Sequence, residues 1–473
     1  MKAIKYLVAG VLALSMSAPA MAQDVKSQVD AITKVVIDAK GDVNATKSQV
    51  KAFTKMNKKN AAALAGLGRA FLRAKNYDQA HLYADMAIKA NKNLSDGYIL
   101  HGDACAAQDD GGAAASWYEQ ATYYDKQNPE GYVKYARVYQ KVDPDGAVAM
   151  LEKLRQVKPD YPVDAAAGYM YSSNSLLKTA IDYYDKVSDV TKMEDYILYD
   201  YASTAYVLEQ YDKAVNLASQ GIRKYPKYVS FNRVGLYGSD KLKKYDEAVV
   251  YGEKLFNTVD TLKYTANDYT YYADALSNVG RYDDAIAALK HISEVDADNK
   301  NADKLISDVY VKAKQFDKAV ASYNVYLNAI GDAATYKDYD ALADIYIDEN
   351  IAATDKEAKV AALKNADKVY GTIAEKYDYA RTYAVWKRAL LNHQINPDVK
   401  EGQALPFYQQ YISLLENKAD RTASESNKLA TAYQYLAVHY IQNDRVAEAK
   451  NFAGKLLQLR PEDETAKQII SLK

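Results

Sequence analysis

Along most of the chain a short motif, aromatic-Asp-x-Ala, returns at a nearly fixed interval. It reads Tyr77-Asp78-Gln79-Ala80, Tyr211-Asp212-Lys213-Ala214, Tyr245-Asp246-Glu247-Ala248, Tyr282-Asp283-Asp284-Ala285 and Phe316-Asp317-Lys318-Ala319. Weaker copies extend the register to Ala80, Ala114, Ala147, Ala180, Ala214, Ala248, Ala285 and Ala319, with gaps of 34, 33, 33, 34, 34, 37 and 34 residues. No stretch reads as a β-sheet. The stripe Ala358, Ala362, Ala366, Val369, Tyr370 and Ile373 has helical spacing. The pattern predicts stacked helical hairpins, each burying its apolar face only on its neighbours, so that about three are needed for stability.

The residues around the alanines carry a family resemblance. With the conserved alanine counted as position 20, one repeat has Leu67-Gly68, Phe71 and Ala87, and the next has Tyr98, Gly102, Tyr118 and Ala121. Another has Gly168, Tyr171 and Tyr184. The last has Tyr433, Leu436-Ala437, Tyr440, Leu456 and Pro461, and Pro159 and Pro226 stand where Pro461 does. Spacing and residue type together resemble the tetratricopeptide repeat over nearly the whole chain. The resemblance implies an all-α, right-handed α-α superhelix of about eleven hairpins with a long concave groove. Small residues at positions 8, 20 and 27 let helices approach closely. Asp at position 18 is expected to cap the second helix, and proline to end it.

The ends depart from this regularity. Residues 1–22 read as a cleaved secretory signal, with Lys2 and Lys5, an apolar run from 7 to 18, and Ala20-Met21-Ala22 before Gln23. Residues 23–60 read as a degenerate helical cap broken at Gly41-Asp42, residues 61–332 as the regular array, and residues 333–473 as longer hairpins with a C-terminal cap. In that last part, Thr354-Asp355-Lys356-Glu357 and Thr422-Ala423-Ser424-Glu425 both read as capping boxes that open helices.

Composition narrows the function. The 61 basic and 62 acidic residues balance, which argues against a nucleic-acid partner. No run after the signal is apolar enough to span a bilayer. Cys105 is the only cysteine, so no lipid anchor and no internal disulfide are expected. These features point to the periplasm, with secretion as the second choice. His81, His101, His291, His393 and His439 show no spacing for a metal site, and Cys105 reads as a small apolar filler. Gly111-Gly112 lacks the lysine of a phosphate loop. No catalytic group, cofactor or metal is expected.

The resemblance assigns positions 2, 5, 9 and 12 of each first helix to the groove. These supply Tyr196, Tyr199 and Tyr206 from one repeat, with Tyr169 and Tyr237 from its neighbours and Arg137, Gln140 and Arg233 nearby. The following row is polar, with Asn267, Thr270 and Asp274. Most of the 45 tyrosines are accounted for as packing residues, but a tyrosine in a groove offers apolar contact and a hydroxyl at low entropic cost. Position 9 runs Arg69, Asp103, Arg137, Tyr169, Ser203, Tyr237, Asp274, Asp308. The Lys and Asn of the family's two-carboxylate clamp are therefore missing. The expected function is a non-enzymatic scaffold binding proteins or peptides of the cell envelope. The alternative is an accessory protein that binds glycan or cell-wall material through the same tyrosines.

Overall fold

The computed structural model describes residues 18–257 and 263–472. Residues 1–17, which hold most of the expected signal, lie outside the described residues. The chain forms two compact units, Met1–Gly238 and Ser239–Lys473, and among the described residues there is no strand.

The first unit stacks six helical hairpins: Ala18–Asp38 with Val43–Met56, Ala61–Arg73 with Tyr77–Ala90, Asp96–Ala106 with Gly111–Tyr124, Pro129–Tyr139 with Pro144–Val157, Val163–Ser172 with Leu177–Tyr184, and Asp195–Val207 with Tyr211–Lys224. The unit boundary falls inside the next helix, Ser230–Lys241. The second unit continues with Tyr245–Phe256. It then forms five hairpins, Ala266–Asn278 with Tyr282–Lys290, Ala302–Lys312 with Phe316–Ile330, Tyr336–Ala352 with Lys356–Lys376, Arg381–Ile395 with Leu405–Leu415, and Ala423–Gln442 with Val446–Leu459. Glu464–Ser471 closes the chain. Each unit is an all-α array of the α-α superhelix class.

The second helix of a hairpin starts at the aromatic residue of the motif, so the aspartate lies in its first turn. Capping falls two positions earlier than expected. Asn76, Asp110 and Asp143 accept the free N–H groups, and Asp78 and its counterparts lie in the first turn, where the helix dipole favours a negative charge. One more residue back, the chain turns through the left-handed region. Lys75, Asp109, Ser175, Glu209, Lys243, Lys314 and Asp444 all have φ between 57° and 62°, and Gly280 replaces them once at 81°. The capping box at Thr422 and Glu425 forms as expected. At the other predicted box the cap is Asp355, which accepts from the Ala358 N–H. Thr354 takes no part in that cap.

Small residues bring the helices together and tyrosines fill the space above them. A Cβ on Gly102 would stand 2.4 Å from the Tyr118 ring, and one on Gly168 would stand 2.5 Å from the Tyr184 ring. Each of these buried phenols donates to an aspartate: Tyr118 to Asp103 at 2.8 Å and Tyr184 to Asp200 at 2.6 Å. Tyr171 donates to Asp145, and Tyr201 to Asp185. In the second unit Tyr370 and Tyr383 both donate to Asp340 at 2.8 Å, and Tyr326 donates to Asp338. Burial first, and the neighbouring carboxylate second, drive the Tyr118 and Tyr184 phenols well above their ordinary range. Trp386 lies 5.0 Å from Tyr411 in the core of the second unit.

Two paired substitutions test this account by urea unfolding of the whole chain. Tyr184→Phe should lose about 1–3 kcal/mol, because it strips a half-buried carboxylate of its donor. Tyr323→Phe should cost nothing or stabilise, because the Tyr323 hydroxyl is buried without a partner. Gly168→Ala should lose about 1–3 kcal/mol through overpacking against Tyr184. Gly454→Ala, whose new Cβ meets nothing within 4 Å, should gain about 0.4–1 kcal/mol.

Candidate functional site

Arg137, Gln140, Tyr169 and Tyr196 line one cleft of about 560 Å³ in the first unit. Three consecutive first helices present them: Arg137 from Pro129–Tyr139, Tyr169 from Val163–Ser172 and Tyr196 from Asp195–Val207, with Gln140 capping the first. Val133, Met170, Met193 and Ile197 give the cleft apolar lining, and Tyr161 enters from the loop between hairpins. Tyr161 has no place in the helix-A register, so the repeat pattern did not select it. Its only sequence signal is an aromatic two residues past Pro159.

The other four candidates lie apart from this cleft. Tyr199 packs on Tyr228 and Phe231. Tyr206 packs between Tyr211 and Tyr237, and Arg233 is half-buried in the helix Ser230–Lys241. The aromatic contacts hold these rings within the array.

Inside the cleft, hydrogen-bond donors stand unused. Arg69, Arg155, Arg281, Arg388 and Arg445 each hold a carboxylate, whereas Arg137 is exposed and holds none. The phenols of Tyr161 and Tyr169 likewise have no acceptor, in contrast to the Tyr–Asp pairs of the core. Tyr196 is 39% exposed and meets Tyr169 edge to face at 5.1 Å. Burial, then Glu194, push its phenol up to about 12. Such a cleft offers donors and apolar surface to a ligand that brings carbonyl or carboxylate acceptors. It contains no histidine, cysteine or serine.

Two histidines that sequence spacing kept apart meet in the fold. His81 Nδ1 and His101 Nδ1 are 2.7 Å apart, and His101 Nε2 lies 3.0 Å from Asp85. The His101 ring stacks on Trp117 at 4.1 Å. Burial lowers its affinity for a proton, with Asp85 opposing. This is a packed polar contact, and among the described residues no three His, Cys, Asp or Glu side chains converge as a metal site. Cys105 is buried, and burial pushes its thiol up, which makes it a poor nucleophile.

A family model described as tetratricopeptide repeat matches residues 39–95 and 273–335. Among solved structures, the chain is similar to the C-terminal part of a TPR repeat-containing protein from Cytophaga hutchinsonii, with 20% identity over 58% of this chain and 100% of that one and a TM-score of 0.42. It is also similar to a tetratricopeptide repeat protein from Parabacteroides merdae, with 16% identity over 53% and 98% and a TM-score of 0.33. For PilF of Pseudomonas aeruginosa the values are 18%, 42%, 92% and 0.34. No curated protein sequence matches the chain.

Proposed function

We propose that this chain, which matches the tetratricopeptide repeat over residues 39–95 and 273–335, works as a non-enzymatic scaffold of the bacterial cell envelope, holding an extended segment of a partner protein in the tyrosine cleft. The observation that carries this reading is the set of unused donors at Arg137, Tyr161 and Tyr169. In a unit where Tyr118, Tyr171, Tyr184 and Tyr201 each donate to an aspartate, donors left open beside exposed aromatic edges suit a peptide backbone and its side chains. The envelope address rests on the signal-like residues 1–22 and on the near absence of cysteine. Among the described residues no helix is long and apolar enough to cross a membrane.

Crosslinking followed by recovery from envelope extracts tests the proposal. Wild-type protein should retain a defined partner, and combined Arg137→Ala and Tyr196→Ala should reduce recovery at least about tenfold, as expected when a central Arg and Tyr are removed. Unchanged recovery would sink the cleft as the binding site. Calorimetric binding of peptidoglycan fragments, with no protein retained, would move the function to glycan recognition through the same tyrosines.

A further inference from the structure

We infer that a second cleft, lined by Asp240, Asp274 and Asp308 within the second unit, receives the cationic side chain of an arginine or lysine on a protein partner. The cleft has a volume of about 540 Å³, and every residue lining it belongs to Ser239–Lys473. The three aspartates come from the helices ending at Lys241, Asn278 and Lys312. They stand on three neighbouring first helices, Asp274 and Asp308 at the same repeat position and Asp240 about one turn further along its own helix, beyond Tyr237. Leu289, Leu305 and Val309 add apolar wall against which the aliphatic stem of such a side chain can lie.

The arrangement leaves one acceptor open. Asp240 Oδ1 is shielded from solvent and has no hydrogen-bond partner. Lys312 is already committed, its Nζ lying 3.0 Å from Asp274 and 3.1 Å from Ser277 Oγ. Lys241 lies over the Tyr271 ring, 5.4 Å from its centre. Lys304 and Lys312 act on Asp308, so the acceptor left open is Asp240 Oδ1. Asp240 and Asp274 lie close enough to act on one another by charge and hydrogen bond, and two such carboxyls need a proton or a cation between them. Without a ligand the proton takes that place. Burial first, then the Asp274 charge, raise the Asp240 carboxyl to about 7, with Lys241 and Lys312 pulling the other way. Asp308 is also raised, by burial, against Lys304 and Lys312. Among the described residues no set of three ligands converges as a metal site, which leaves an organic cation as the fitting occupant. A guanidinium brings several donors in one plane and can serve both Asp240 Oδ1 and a second carboxylate.

The sign of the pH effect follows. The incoming cation displaces a proton from Asp240, so affinity rises as pH increases through 7. For a single group titrating near 7, the gain from pH 6 to pH 8 is roughly tenfold. The inference rests on the protein-binding reading of the chain but not on the tyrosine cleft.

The test uses the full chain and a fluorescein-labelled seven-residue peptide containing two arginines, followed by anisotropy. Counterparts carry citrulline or glutamate in place of arginine. The arginine peptide should bind, more tightly at pH 8 than at pH 6 by roughly tenfold, and the counterparts should not. Asp240→Asn should weaken binding at pH 8 and flatten the pH dependence, and Asp308→Asn should weaken it while the pH dependence persists. Tyr169→Ala should leave the arginine peptide unaffected. Equal binding of the citrulline peptide, undiminished binding by folded Asp240→Asn and Asp308→Asn, or no binding at all overturns the inference. None of those results touches the scaffold reading, which is decided by partner recovery through Arg137 and Tyr196.

Discussion

A phenol ring seated over a residue without a side chain, its hydroxyl held by an aspartate, is the contact on which the stacking of this chain depends. Gly168 admits the Tyr184 ring, and Asp200 of the next hairpin accepts the hydrogen bond from its hydroxyl. The same element therefore packs one hairpin and joins it to the next. A phenylalanine would fill the volume but leave the carboxylate without its donor, and a burial of that kind costs more than the bond itself returns. This gives a physical reason for 45 tyrosines against 7 phenylalanines. It also explains how an array that has a single, buried cysteine is held by packing and charge-assisted hydrogen bonds alone.

The hairpins were legible because their constraint is local and repeated. Ala80, Ala214, Ala248 and Ala285 are all fully buried, and a contact with room only for a methyl leaves the same residue at the same interval. Other features left weaker traces. The left-handed turn falls on Lys, Glu, Asp or Ser nearly every time, and none of these is the glycine that would announce it. The cap beside it is Asn or Asp in some repeats and Gln, Lys or Arg in others, so the motif aspartate drew the eye to the wrong position. His81 and His101 meet only because their two helices pack, which no spacing along the chain expresses.

The candidate site was legible in half. Helix register groups Arg137, Gln140, Tyr169 and Tyr196, and the structure sets the four around one cleft, since first helices of successive hairpins present equivalent faces. It could not say which groove tyrosines would be taken up by neighbouring rings. Tyr199 and Tyr206 occupy register positions equivalent to those of cleft residues, yet Tyr228, Phe231 and Tyr237 cover them. Register reports direction, whereas availability depends on what the next hairpin brings. First helices carry opposite chemistry in the two units: donors without acceptors around Arg137, and an acceptor without a donor at Asp240.

The two indoles of the chain fall one to each compact unit. Trp117 lies under the imidazole of His101 in the first, and Trp386 lies among Tyr408 and Tyr411 in the second. Each unit thus contains its own emitter, fed by the many surrounding phenols through energy transfer. With one indole replaced by phenylalanine, the remaining emission reports on a single half of the molecule. Melting of the two halves, together or in sequence, can be followed without attaching any dye.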